Sequence, residues 1–476
     1  MRYSIGLFFL LLSVGTSAQS PKKWGLLECV QYAMDNNISI KQTDLQARLA
    51  ELQYKQSKMS RLPALNFSGG PSYSSGRNQD PTTFSLITQS YVAANLQLQS
   101  SADIFNWFSK KNTIAANQWD VLAAKAATDK LKNDIALTVA NAYLQVLLAN
   151  EQQKIAGVQL QQSQAQLSNT RKMVDAGALP ELNAAELEAQ VARDSASFII
   201  ARGSIDQAIL NLKAYMNVDA AAPFDVDTPP VDKIPVEKIA DLQPDVVYAS
   251  AMANMPLQKE NDYKLKAAQR NAAAAKAGMY PTISIYGSLG SGYNSRAQEI
   301  TGSSFINAPF GNVTIGPTTY DVYPAQPFTN YNYGKTPFFS QLNQNFRQSI
   351  GLNISVPILN GYSLRTAYLR SKINIRNQEL QRDLDDQKLK QDIYQAYNSA
   401  LVAYEKYNAS TKTVQATERT YSYAKKRYDV GMLSTFELIT NQNNLFTAKL
   451  QNSLDQFDYV FKMKVLEFYK GQGLKL

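Results

Sequence analysis

The sequence predicts a mainly α-helical chain that contributes four β-strands to a transmembrane β-barrel shared between copies. Three observations carry this expectation. The chain is written twice, with residue matches at constant offsets. Each copy holds one very long stretch with coiled-coil periodicity. Each copy also holds two strands, alternating with period two, that are long enough to cross a bilayer when tilted.

Composition narrows the function before any motif is read. The 476 residues include no His and a single Cys, with 45% hydrophobic and 18% charged residues. Without histidine there is no Ser-His-Asp or Cys-His machinery, no His-ligated metal and no histidine pH switch. Cys29 alone can form neither an intrachain disulfide nor a metal cluster. The 48 Lys and Arg against 39 Asp and Glu are spread along the chain, with no basic stripe to track a phosphate backbone. No catalytic, cofactor-binding or metal-ligating residue is expected, and an enzyme is disfavoured.

Arg2, the apolar run Ile5–Val14 and the small-residue exit through Ala18 form the parts of a secretory signal peptide over residues 1–18. Cys29 follows Leu26-Leu27-Glu28; the glutamate argues against a lipidation site, so Cys29 reads as a small apolar position in the first helix. The first repeat then spans 19–217, a proline-bearing linker 218–245, and the second repeat 246–476. Ala33-Met34-Asp35-Asn36 returns as Ala251-Met252-Ala253-Asn254, an offset of 218 that also relates Pro63 to Pro281. Farther on, Ala142-Tyr143 matches Ala396-Tyr397, and Asp175-x-Gly177-x-Leu179 matches Asp429-x-Gly431-x-Leu433, at an offset of 254. The growth from 218 to 254 leaves 36 extra residues in the second copy, between about Tyr293 and Gln344.

Within the first copy, Leu26–Arg61 reads as one helix ended by Pro63. Strands are expected at about 64–76 and 91–103, and in the second copy at about 282–293 and 347–359, where apolar and polar residues alternate. Residues 110–174 contain no Pro and one Gly, predicting a single helix of about 97 Å. Its inward positions, from Ile135, Val139 and Ala142 to Leu160, Ser163 and Leu167, step by four and three, a 3.5-residue repeat of coiled-coil type. Leu389, Ile393, Ala396, Ala400 and Ala403 repeat the pattern. After the first glycine break, Leu182, Ala185, Ala189, Ala192, Ala196 and Ile199 are expected to continue it. The helix before the strands and the one after the glycine, about 54 Å apiece, would stack end to end beside the long helix.

Four strands cannot close a barrel, and open sheet edges are not tolerated in lipid. Two copies would supply eight strands and three copies twelve; twelve leaves an aqueous lumen. The duplicated helix-strand-strand-helix-helix order and the small-residue coiled coil resemble the TolC-type outer-membrane efflux proteins. So do the paired motifs Val174-Asp-Ala-Gly-Ala-Leu179 and Tyr428-Asp-Val-Gly-Met-Leu433. The likeness covers the whole chain after the leader. It implies a homotrimer in the outer membrane of a Gram-negative bacterium, with a 12-strand barrel and an α-helical periplasmic tunnel. It implies a passive duct for small molecules, drugs or other toxic compounds, with protein or metal export as alternatives. It also implies docking onto a periplasmic adaptor and an inner-membrane pump, expected to be of the resistance-nodulation-division type.

The resemblance assigns the adaptor-docking tips to Gly177, Ala178, Leu179, Gly431, Met432 and Leu433. It also implies acids six and nine residues after the second glycine that ring the closed entrance. Glu437 and Thr440 occupy those positions, so one acid is kept and a divalent-cation block is left unsupported. Asn183 is the matching first-half position, and Tyr428 matches a tyrosine of the same constriction. A ring of Glu437 carboxylates would favour cations; the alternative is a solvated glutamate on a helix face. The 36-residue enlargement, with Tyr320, Tyr323, Phe328, Tyr331, Tyr333, Phe338 and Phe339, reads as an extracellular loop over the barrel mouth or as an aromatic girdle. The competing function is a periplasmic coiled-coil scaffold without a channel.

Overall fold

The computed structural model describes residues 23–79, 84–227, 230–231 and 234–471. The expected signal peptide lies outside these residues. Two compact units are present: a helical one (to Glu51, Gln118–Ala267, from Ile375) and a strand-bearing one (Leu52–Asn117, Ala268–Asn374).

The order of elements begins with β1 (Lys23–Trp24), α1 (Leu26–Asn36), α2 (Ile38–Met59), β2 (Ala64–Gln79) and β3 (Leu86–Phe105). Next come α3 (Ser109–Asp175), α4 (Glu181–Met216) and the short β4 (Asp225–Val226), which pairs in parallel with β1. The second copy follows with α5 (Pro244–Asn254), α6 (Pro256–Ala277) and β5 (Thr282–Asn294). An insert of β6 (Gln298–Ile306), β7 (Gly311–Ile315), β8 (Thr318–Val322), β9 (Phe328–Lys335) and α7 (Phe338–Gln344) precedes β10 (Arg347–Ser355), α8 (Ser363–Asp429) and α9 (Thr435–Tyr469). The helices match in pairs: α1 and α5 have 11 residues, α2 and α6 have 22, and α3 and α8 have 67.

The expected continuous helix over 26–61 is in fact broken. Asn37 is extended (φ −62°, ψ 129°), and its side-chain oxygen accepts the Ser39 N–H at 2.9 Å while its amide donates to the Tyr215 carbonyl at 3.1 Å. The second copy breaks at Met255, which precedes Pro256 and is therefore pushed out of helical geometry.

In the helical unit, Cys29, Val139, Tyr143, Leu212, Met216 and Phe457 form one buried cluster from α1, α3, α4 and α9. Leu242, Val247, Leu389, Ile393, Met463 and Leu466 form a second, from the linker end, α5, α8 and α9. Each fully buried large side chain contributes about 1.5–3 kcal/mol. Burial pushes the Cys29 thiol up to about 12, so it is a core group and not a reactive one. Lys464 and Glu467 form a buried ion pair at 2.8 Å, and the second carboxylate oxygen of Glu467 accepts the Glu237 N–H at 2.7 Å, tying the linker to α9.

The predicted stripe on α4 does not face this core. Leu182 (65%) and Ile199 (68%) are exposed, as are Ala185, Ala189, Ala192 and Ala196, whereas Ala184, Leu187, Gln190 and Asp194 are buried. Helix α4 is apolar on two faces, and only one is covered within the chain. On α2, Ile38, Leu45, Leu52 and Met59 make a second exposed apolar row at heptad spacing.

In the strand-bearing unit the sheet order is β10-β5-β3-β2, with every adjacent pair antiparallel. Its outer strands, β2 and β10, have no further strand partner among the described residues. The register places Phe67, Leu98, Leu289, Ile285 and Leu352 on one face and Ser68, Gln97, Ser288, Ser349 and Asn353 on the other. The apolar face is open, with Phe67 68% and Ile350 80% exposed. Pro71 lies within β2, opposite Ala94 of β3. Strand β10 ends at Ser355, short of the expected 359, because Pro357 has no N–H to donate.

Each strand-to-helix junction repeats one turn. Trp107 (φ 49°) and Phe108 (φ 62°) correspond to Gly361 (φ 59°) and Tyr362 (φ 66°), all left-handed. The first copy carries strain of about 1–2 kcal/mol per non-glycine residue there. Trp107 packs against Tyr280 (4.9 Å between rings) and Phe105 (5.3 Å), forming an aromatic band at this end of the sheet.

A sheet with one apolar and one polar face is expected to meet lipid with the first. Phe67→Lys should therefore cost about 2–4 kcal/mol in a bilayer and sharply reduce folded protein in vesicles. Ser68→Lys, one residue on and on the other face, should fold as wild type; equal yields of the two would contradict the facial assignment.

Candidate functional site

Helices α3 and α8 both end in a Schellman turn. Gly177 N donates to Val174 O and Ala178 N to Met173 O, both at 2.8 Å. Gly431 N donates to Tyr428 O at 2.9 Å and Met432 N to Arg427 O at 2.8 Å. Gly177 (φ 72°) and Gly431 (φ 75°) hold the left-handed position, which an L side chain rarely adopts. The two turns are the same device written twice.

The helix starts beyond the two turns differ. Helix α4 starts after Pro180, and Arg171 reaches across to Glu181 and, at 2.5 Å, to Glu188. Helix α9 starts with a capping box. Ser434 Oγ accepts the Glu437 N–H at 3.2 Å, and Glu437 Oε2 accepts from Ser434 N at 3.1 Å and Ser434 Oγ at 2.8 Å. These donors, with the nearby Arg427 charge, hold the exposed Glu437 carboxyl below its usual value. Glu437 thus has a local structural role as well as its charge.

Tyr428 joins the two halves. Its hydroxyl lies 3.0 Å from Thr170 Oγ1 on α3, and Thr435 Oγ1 of α9 donates to it at 3.5 Å. Around it is a groove of about 880 Å³ between the tips, lined by Asn183, Ala178, Leu179, Gly431, Met432 and Leu433 as well as Tyr428. Gly177, Glu437 and Thr440 lie outside the lining. Thr440 Oγ1 donates to its own helix, to Phe436 O at 2.8 Å. Leu179 and Leu433 are half-buried in the groove, whereas Met432 is 70% exposed. Val430, Phe436 and Leu182, which the sequence analysis did not single out at the tips, are also exposed apolar residues close in sequence to the two glycine turns. Their signal was an apolar residue within a few positions of each glycine break.

Above the tips, α3, α4 and α9 share a buried polar layer. Gln190 Nε2 donates to Asp194 Oδ1 and to Asn443 Oδ1, each at 2.9 Å, and Gln159 Nε2 reaches Asp194 Oδ2 at 3.5 Å. Burial pushes the Asp194 carboxyl above its usual value, partly offset by bonds from Ser163, Gln190 and Gln159 and by Arg193. The layer was legible only in part, as Ser163 in an otherwise apolar repeat. No group of three or more potential metal ligands occurs among the described residues.

The family model described as "Outer membrane efflux protein" matches residues 29–218 and 247–461, and the chain belongs to that family. Among relatives, it is 24% identical over 419 residues to a probable outer membrane lipoprotein, SilC, of Salmonella typhimurium, covering 87% of this chain and 83% of that one. It is 22% identical over 437 residues to the toluene efflux pump outer membrane protein TtgC of Pseudomonas putida, covering 89% and 78%. The fold matches the crystal structure of CusC, reported with transmembrane channel formation, at a TM-score of 0.75 and 18% identity over 96% of both chains. The protein is therefore an outer-membrane efflux channel, mainly α-helical with barrel strands, and the coiled-coil scaffold reading falls away. Unlike a lipoprotein's modified cysteine, Cys29 is buried within α1.

Asp194 links the stability of the fold to pH. Its native carboxyl holds a proton more tightly than the unfolded chain does, so stability falls as pH rises from the unfolded value through the folded one. Asp194→Asn, which keeps an acceptor and removes the charge, should raise the melting midpoint at pH 7, with the gain vanishing below about pH 4. A lower midpoint at pH 7 would show that the ionised form is preferred in place.

Proposed function

We propose that the chain is the outer-membrane duct of a tripartite export system, assembled as a homotrimer. Its twelve strands close one barrel, and its helices line a periplasmic tunnel ending at the Gly177 and Gly431 turns. The observation that carries the reading is the pair of unpartnered edges on a sheet whose apolar face suits lipid. Lipid admits no open edge, and three copies satisfy both edges while leaving a lumen. The uncovered apolar rows on α2 and α4 support the same assembly, since each needs a neighbouring helix to bury it.

The tips supply the gate and the docking surface. Tyr428 holds α8 to α3 through Thr170, so breaking that bond loosens the second tip beyond the Gln190–Asn443 tie. Three Glu437 carboxylates, held ionised by their capping bonds, give the entrance a preference for cations. Met432, with Val430 and Phe436 beside it, offers an exposed apolar edge to the helical hairpin of an adaptor. The adaptor in turn couples the duct to an inner-membrane pump of the resistance-nodulation-division type. Export of organic toxic compounds is the substrate reading, in line with the relative named for toluene efflux.

Planar-bilayer conductance tests the gate. Glu437→Gln retains a capping acceptor but removes the charge, and should lower cation preference at unchanged folding. Tyr428→Phe removes both hydroxyl contacts and should raise conductance severalfold. Currents identical to wild type in both variants would remove the gate from these residues.

A further inference from the structure

The insert between β5 and β10 is not an irregular loop. Strands β6 and β9 form an antiparallel ribbon, with Ile306 opposite Phe328, Ser303 opposite Tyr331 and Ile300 opposite Tyr333, and a bulge between Ile300 and Gly302. Strands β7 and β8 form a second, tighter hairpin. The register sorts each ribbon into two faces. Ile300, Phe305, Tyr331 and Tyr333 share one face of the first with Ser303 and Thr329, while Ser304, Asn330 and Asn332 share the other with Ile306 and Phe328 at the ribbon's tip. In the second, Val313 opposite Tyr320 and Ile315 opposite Thr318 oppose a face of Asn312, Asp321, Thr314 and Thr319.

The apolar faces have no cover within the chain: Phe305 is 75% exposed, Ile315 66% and Tyr320 55%. An isolated two-stranded ribbon is at best marginally stable in water, yet the root of this one is firmly built. Gln341 of α7 is 2% exposed; its amide donates to Thr336 O at 2.9 Å and its oxygen accepts the Asn294 N–H at 2.8 Å. Ser291 Oγ donates to Leu342 O at 2.6 Å, and Tyr293 packs on Phe338 at 5.1 Å.

We propose that these apolar ribbon faces pack against the same faces of neighbouring copies, forming an intermolecular cap over the barrel mouth. The inference rests on the shared-barrel reading of the proposed function. Three further observations select another copy of this chain as the occupant. The insert returns into β10, an edge strand, so it stands at the seam where a neighbour's β2 must pair. It leaves the sheet at the end bearing the β2–β3 connection, opposite the end joined to the long helices. And residues 295–346 carry only Arg296, Glu299, Asp321 and Lys335, a net charge of zero. Copies can meet there without repulsion, and a polyanionic surface partner finds no counter-charge.

Single cysteines at adjacent register positions test the cap in the detergent-extracted full-length protein, where buried Cys29 stays silent. On oxidation, Tyr331→Cys should give disulfide-linked dimers at least fivefold more than Asn332→Cys, which lies on the other face. Val313→Cys against Asn312→Cys repeats the comparison on the second hairpin, should either first variant fold poorly. Light scattering on the same samples reports the assembly. Single chains would overturn the shared barrel and the cap together. An intact oligomer in which the paired positions cross-link equally, or not at all, would overturn the cap alone. In that case, labelling of Tyr331→Cys by a membrane-impermeant maleimide would assign the face to an outside partner, and protection from it would assign the face to lipid.

Discussion

The structure depends on the hydrogen bonds that its sheet cannot make alone. A backbone N–H or carbonyl left bare in hydrocarbon costs several kcal/mol. Strands β2, of 16 residues, and β10, of 9, each present such a row along one side. Among the described residues no strand is left to supply the remedy, because the others are committed to the sheet interior, to the insert or to the β1–β4 pair. Closure by copies of the same sheet meets the demand with no new structure. In the proposed assembly the uncovered helical rows on α2 and α4 would acquire partners by the same symmetry.

Duplication explains both the economy and the asymmetry of the tips. Each half ends its long helix with one Schellman turn, but the residues beyond it have diverged. The first half fixes its tip with Arg171, Glu181 and Glu188, three exposed charges. The second uses a capping box, which leaves Glu437 charged at the start of α9, where the helix dipole also favours an anion. Tyr428 is the link between them. At the tip itself the tie from α8 to α3 is one hydroxyl pair, a poor brace and a good latch, while the Gln190–Asn443 bond holds α9 to α4 farther along.

Much of the fold was legible in the sequence because duplication leaves paired residues at constant offsets. Pro63 and Pro281, or Gly177 and Gly431, are hard to mistake for chance when they recur together. The break at Asn37 was hidden, since asparagine in a helical run carries no obligatory signal where the second copy has Pro256. The inward face of α4 was misread because both faces are apolar and a sequence cannot tell a chain's own core from a neighbour's. The ribbons of the insert escaped notice because the bulge near Ile300 breaks the period-two pattern, and Asn, Gly and Pro between the strands read as loop. Within the tip, the positions were legible from the glycine motifs, but the capping role of Glu437 and the Thr170 partner of Tyr428 depend on contacts that the motifs do not specify.

Amide hydrogen exchange of the assembled protein in detergent tests the central claim most directly. If copies pair edge to edge, the outward-facing amides of β2 and β10 should be protected as strongly as those of β3 and β5. Fast exchange along either edge, beside protected central strands, would mean that the sheet stays open and that no shared barrel forms.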